Sequence, residues 1–134
     1  MSADNVKVIQ TIYEAFGRGD IPAILQRVSS DTEWGFNVSN SVVPWHKTIK
    51  GKAVLPSFFD AFMGNVEIKA FVPKSFMAVP NGVVVDLHLE YVVKKTGRLV
   101  NENQLQWWSL DNQGLVTGLM HYEDTAQVEA AWGK

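Results

Sequence analysis

The sequence contains no cysteine. That excludes disulfides, thiolate nucleophiles and sulfur-ligated metal, and it makes a reducing cytoplasm the expected location. Charge is scarce too: 12 basic and 14 acidic residues among 134 leave a net charge of −2. Such a chain has no long-range attraction for nucleic acid or an anionic membrane surface, so neither is an expected partner. No apolar run approaches the ~20 residues that cross a bilayer. The opening MSADNVKVIQ lacks the basic stretch and apolar run of a secretory signal. A phosphate-cradling glycine motif and a Gly-x-Ser-x-Gly elbow are also missing, which disfavours nucleotide-dependent and serine-hydrolase chemistry. His46, His88 and His121 lack the close spacing of a metal motif, so neither metal nor cofactor is expected.

What the chain does have is hydrophobic residues, at 46%, and rings: five Trp, seven Phe and three Tyr. A length of 134 residues suits one domain over 1–134 that buries a core without staples. Rings in this number fill a thick core or line a cavity for an apolar ligand, and composition leaves both open.

Periodicity divides the chain into a helical first half and a strand-rich second half. Asp4 or Ser2 can cap a first helix, with Val8 (or Ile9), Ile12, Tyr13 and Phe16 at helical spacing and Gly17 and Gly19 ending it. Asp20 caps a short second helix, Pro22 fits its first turn, and Ile24, Leu25 and Val28 face inward. Residues 32–38 read as a strand with Trp34 and Phe36 on one face, and 37–49 as a loop folded over something apolar. Lys50-Gly51 opens a third helix bearing Val54, Leu55, Phe58, Phe59, Phe62 and Met63. Pro56 predicts a late start or a kink there, and Gly64-Asn65 a left-handed cap. Segments 66–79, 83–95, 100–110 and 115–123 alternate as strands separated by Pro80-Asn81-Gly82, Lys95-Thr96-Gly97 and Asp111 to Gly114. A short helix over Thr125–Trp132 closes the chain. Helices first and an antiparallel meander after is an α+β order.

This order, with YEAFGRGDIPAIL near the start and GLMHYEDTAQVEAAW at the end, resembles the SnoaL-like branch of the ketosteroid isomerase-like superfamily, which includes nuclear transport factor two, scytalone dehydratase and limonene epoxide hydrolase. VPWHKTIKGKAV, FVPKSFMAVPNGVVV, the Thr96-Gly97-Arg98 turn and YEDTA at 122–126 extend the likeness over nearly the whole chain. The resemblance implies a conical half-barrel: helices on the concave face of a strongly curved sheet, enclosing a pocket for a small apolar, polyketide-like or steroid-like molecule. It also implies a homodimer through the outer sheet face. The isomerase's catalytic groups do not carry over, because its tyrosine falls at Ile12, its proton-shuttling aspartate at Phe36 and its second acid at Gln106. Isomerisation of ketosteroids is therefore not expected, since nothing at those positions can shuttle the proton. The Arg-x-Asp pair of limonene epoxide hydrolase can be laid over His88-Leu89-Glu90, with its remaining aspartate at His121.

Several side chains then compete for a role. Alternation from Leu119 sends His121 the same way as Glu123, into the cavity in the family register, where an imidazole can serve as acid or base. Glu90 and Glu102 are candidate assistants, although Leu87, Leu89 and Tyr91 make a better inward row that would turn Asp86, His88 and Glu90 outward. Gln104, Gln106 and Trp108 share one face of their strand, either inside with the ligand or outside, with Leu105 and Trp107 going in. Tyr13, Trp34, Trp45, Phe58, Phe59, Phe62 and Phe76 are candidate lining residues, and Trp45-His46 a candidate mobile lid. Two functions stay open: a cofactor-free isomerase, cyclase or hydrolase using His121, and a non-catalytic ligand-binding or dimerisation module.

Overall fold

The computed structural model describes residues 2–133, and the side chains from Asp4 onward. Helix α1 spans Ser2–Gly17, so Asp4 lies in its first turn and is not its cap; a cap by the Ser2 side chain lies outside the described residues. Its inward stripe is Ile9, Ile12 and Tyr13, all buried, with Ile9 taking the place that Val8 could have held. In α2 (Ile21–Leu25) the Asp20 carboxylate accepts the Ala23 backbone N–H at 3.1 Å and Pro22 occupies the first turn, where its missing donor costs nothing. This helix is shorter than its pattern suggested. Val28 already belongs to β1 (Val28–Phe36) and pairs with Val116.

The loop expected over 37–49 is irregular until Ile49 and Lys50, which form a two-residue strand, β2, against Trp34 and Glu33. A 3-10 turn at Lys52–Val54 leads into α3 (Leu55–Met63), and Pro56 sits in its first turn, which is the late start that proline predicts. The left-handed cap at Gly64 does not form. Gly64 keeps right-handed angles (φ −73), and a Cβ there would lie 2.7 Å from the Asp60 carbonyl oxygen, so glycine serves closeness rather than handedness.

Four long strands follow: β3 (Val66–Val79), β4 (Gly82–Val93), β5 (Leu99–Leu110) and β6 (Val116–Tyr122), then α4 (Thr125–Trp132). Asn81, at φ 58, supplies the left-handed residue of the β3–β4 turn. Gly82 is required by crowding: a Cβ on it would meet the Trp108 carbonyl oxygen at 2.3 Å. The sheet order is β2-β1-β6-β5-β4-β3. All neighbours are antiparallel except β1 and β6, which run parallel, a departure from the purely antiparallel sheet expected. The architecture is α+β, with the sheet curled around α1, α2 and α3, and the apolar core on its concave side. No described helix is long and apolar enough to cross a membrane.

Candidate functional site

Register decides what enters the concave side. On β5 the even-numbered residues from Val100 to Leu110 are buried and the odd ones exposed, so Glu102, Gln104, Gln106 and Trp108 point inward. On β4 the inward row is Leu87, Leu89 and Tyr91. On β6, Leu119 and His121 turn inward, and Glu123 follows just beyond the strand. Helices α1 and α3 add Ile12, Tyr13, Phe16, Phe58, Phe59 and Phe62, while β1 adds Trp34 and Phe36. Together they enclose a cavity of about 70 Å³ with a predominantly aromatic wall. That is small beside the ~300–1,000 Å³ of drug-sized ligand sites, so a larger guest requires the aromatic wall to move.

His121 is the polar group best presented to this space. Its ring stacks on Phe36 at 4.1 Å between centroids and 8° between planes, and Phe58 lies 5.9 Å away. Nδ1 lies 2.8 Å from the Gly35 carbonyl oxygen, which can only accept, so Nδ1 carries the hydrogen. Nε2 has no protein partner among the described residues. Burial pushes the His121 pKa down, outweighing the Gly35 carbonyl and the Glu123 carboxylate that pull it up. The result is a neutral imidazole whose free lone pair belongs to a ring in the cavity wall.

Along the wall runs a continuous polar chain. The Trp108 indole N–H donates to the Tyr13 hydroxyl at 3.1 Å, and that hydroxyl donates to Oε1 of Gln106. Gln106 donates to Oε1 of Gln104 at 3.0 Å. Gln104 gives its two amide hydrogens to Glu102 at 3.2 Å and Glu123 at 3.0 Å. The indole N–H can only donate at one end and the Gln104 amide nitrogen donates to both carboxyl groups at the other, so the two ends set the orientation of both amides between them. His46 bonds the other oxygen of Glu123 through Nε2 and Ser41 through Nδ1 at 2.9 Å. Asn37 exchanges two 3.1 Å bonds with the Glu123 backbone, which fixes that residue at the strand's end.

Electrostatics follow from this burial. Desolvation and the neighbouring Glu123 raise the Glu102 pKa to about 7, against the opposing bonds from the Asp124 N–H and Gln104. Burial likewise raises the Tyr13 pKa, so its phenol stays protonated while donating to Gln106. Tyr91, buried beside the same two carboxyl groups, is also raised, and its hydroxyl makes no hydrogen bond.

Most sequence candidates meet here: Tyr13, Trp34, Trp45, Phe58, Phe59, Phe62, Gln104, Gln106, Trp108 and His121 all line the cavity. Ile12, Phe36 and Gln106, the positions matched to the isomerase's catalytic groups, all line it. Glu102 stands behind them in the polar chain. Glu90 does not join. It lies on the opposite face of β4 with its carboxylate 3.4 Å from Nε2 of His88, because the apolar row 87, 89 and 91 takes the inside. His88 is held there by Asn103 at 2.9 Å, so the overlay with Arg-x-Asp puts no charged pair in the cavity. Trp45-His46 is not a free lid. Both are buried, Trp45 packs edge-on to Phe62 and Trp132, and His46 is tied to Glu123 and Ser41. Phe76 packs edge-on to Tyr13 without reaching the cavity, whose β3 contribution is Phe71. Glu123 was missed as a site residue, although strict alternation through Leu119 and His121 already pointed it inward. Among the described residues no three His, Asp or Glu side chains converge to hold a metal ion.

Neither a family model nor a curated protein matches the sequence. Solved structures do match the fold. An NTF2-like protein from Burkholderia xenovorans LB400 superposes with a TM-score of 0.87 at 26% identity, over 98% of this chain and 97% of its own. TerC, crystallised with polyporic acid, gives 0.81 at 21% identity over 98% and 99% of the two chains. A candidate SnoaL-like polyketide cyclase from Mesorhizobium loti gives 0.73 at 15% identity over 87% and 96%.

Proposed function

From the NTF2-like, SnoaL-like fold of this chain, we propose that it binds a small, largely apolar molecule in its cavity, with His121 as the acid–base group. The observation that carries this is the state of the imidazole. Nδ1 is held by Gly35, the ring is clamped on Phe36, and Nε2 is left with a lone pair and no protein partner. A neutral imidazole so placed can take a proton from an acidic C–H or O–H and return it elsewhere on the same molecule. Glu123 favours the imidazolium formed in between, since its carboxylate already draws the His121 pKa upward. Isomerisation and cyclisation use such a transfer, and in hydrolysis the same imidazole would take the proton from the attacking water and give it to the leaving group. Fold neighbours labelled as cyclase or isomerase are compatible with that chemistry, but their likeness concerns the fold alone.

The test has two arms. Nitrogen NMR of His121 should report the Nδ1–H tautomer and titration below the usual histidine range; an Nε2–H tautomer overturns the assignment. Natively purified protein should carry a small apolar molecule detectable by mass spectrometry, and incubation with cell extract should consume a metabolite with wild type but not with His121→Ala. Consumption undiminished in a folded His121→Ala rejects His121 as the acid–base group. A bound molecule without any turnover supports binding alone.

The proposal includes a second copy of the chain on the outer sheet face. Leu105, Trp107 and Tyr122 are exposed there, 43–48% each, and Trp107 and Tyr122 join Met120 and Phe36 around one shallow depression. Rings this exposed favour an apolar partner. Light scattering over a range of concentrations should give a dimer mass, and a monomer mass throughout would reject it.

A further inference from the structure

The polar groups of the cavity have been almost completely used up by one another, and what is left over has a definite sign. The Tyr13 hydroxyl already donates to Gln106 and accepts from Trp108, so it offers no hydrogen to a guest. Gln104 has spent both amide hydrogens on Glu102 and Glu123. His121 spends its only hydrogen on Gly35. Left open on the facing strands β5 and β6 are the Nε2 lone pair of His121, which accepts, and the second amide hydrogen of Gln106, which donates. These residues face each other directly across β5 and β6. Both side chains rise from the concave face, with Cβ atoms roughly 5 Å apart.

The charge around them is equally one-sided. No Lys or Arg lines the cavity, while Glu123 does and Glu102 lies directly behind Gln104. At the His121–Gln106 pair an anionic guest would meet one amide hydrogen and one lone pair, with the carboxyl groups of Glu123 and Glu102 close by, and it would leave water to do so. A neutral guest pays no such penalty.

We infer that the cavity selects a neutral, flat molecule bearing a hydrogen-bond donor beside a carbonyl oxygen, and that it discriminates against carboxylates and phosphates. The donor, O–H or N–H, bonds Nε2 of His121; the carbonyl accepts from Gln106; the flat body lies among Phe36, Phe58 and Trp34. This rests on the reading of the cavity as a binding site and adds the class of ligand. It also separates this site from one built on a tyrosine that donates to an oxyanion, because here the tyrosine's hydrogen is committed to a glutamine.

Three single-ring probes of nearly equal size test it: benzamide (donor and carbonyl), acetophenone (carbonyl only) and benzoate (anion). Binding at pH 7.5 is read from the chemical shifts of His121 and from tryptophan fluorescence. Benzamide should bind about tenfold more tightly than benzoate and several-fold more tightly than acetophenone, differences of the size of one hydrogen bond or one desolvated charge. His121→Phe, which keeps a ring against Phe36, should bring benzamide and acetophenone to within about twofold of each other. The wild-type ranking needs no variant to fold. Benzoate equal to or tighter than benzamide overturns the ligand class while leaving the binding site standing. Failure of all three probes to bind overturns the binding site and the ligand class together.

Discussion

The two faces of β5 carry opposite chemistry. Facing the cavity are Glu102, Gln104, Gln106 and Trp108, all buried; facing outward are Leu105 and Trp107, each nearly half exposed. Alternation leaves either row free to face inward, because Val100, Trp108 and Leu110 on one side are matched by Leu99, Leu105 and Trp107 on the other. The inner row can be buried because its polar side chains are bonded: Glu102, Gln104, Gln106 and Trp108 each have a hydrogen-bond partner in the same row, on α1 or just beyond β6. Buried polar groups are tolerated when so bonded, and the outer row is left with an apolar surface that a second copy would cover.

The sharpest way to break this contrast is to compare two adjacent residues. Trp108→Ala should cost about 3–5 kcal/mol, from lost ring burial and an emptied core. Trp107→Ala should cost about 0.5 kcal/mol or less in dilute protein, as for an exposed site. Urea unfolding of both variants checks this, and equal costs would end the two-face account.

Next in size is the buried carboxylate. The folded chain keeps a proton on Glu102 up to about pH 7, whereas the unfolded chain releases it near 4.5. Stability from this group therefore falls as pH rises through that window, by at most about 3 kcal/mol. His121 acts in the opposite sense: the unfolded chain takes a proton below pH 6.5 that the folded chain refuses, so stability falls on acidification. Between pH 4.5 and 6.5 the two slopes oppose one another. Glu102→Gln should remove one of them, so that thermal melts of the variant lose stability on acidification more steeply than wild type. Parallel pH profiles would show that Glu102 does not titrate in this window.

Tyr13→Phe sharpens the contrast from inside. It leaves the Trp108 N–H and Gln106 Oε1 without their shared partner and should cost about 1–3 kcal/mol in denaturant unfolding. Smallest is Glu90→Gln on the outer face of β4, where the pair with His88 is partly exposed. A loss below about 1 kcal/mol is expected from chemical denaturation; a larger one would mean that Glu90 is more buried than its position implies.

Much of the fold was legible because local chemistry and the final structure agree. Helical spacing marked Ile12 and Tyr13, Asp20 marked a helix start, Pro56 delayed another, and Pro80-Asn81-Gly82 marked a hairpin. Elements stabilised from a distance were harder. β2 is only two residues long and exists because β1 lies beside it, and the early start of β1 at Val28 depends on Val116. The site was half legible. Phe58, Phe59 and Phe62 follow from periodicity, and His121 from alternation. The role of His46 did not follow, because its partner Glu123 is 77 residues away and a loop without periodicity carries it.

The sequence alone determined that the chain alternates on β4, β5 and β6, that rings are plentiful, and that the isomerase's tyrosine and acids are absent at Ile12, Phe36 and Gln106. A period of two separates a strand into faces but is blind to which face is buried. That choice needed the tertiary structure. Only there do Tyr13 from a helix, Gln106 and Gln104 from a strand and Glu123 from a strand's end close one hydrogen-bond chain, which makes it possible to bury the polar row and leave His121 as its open acceptor.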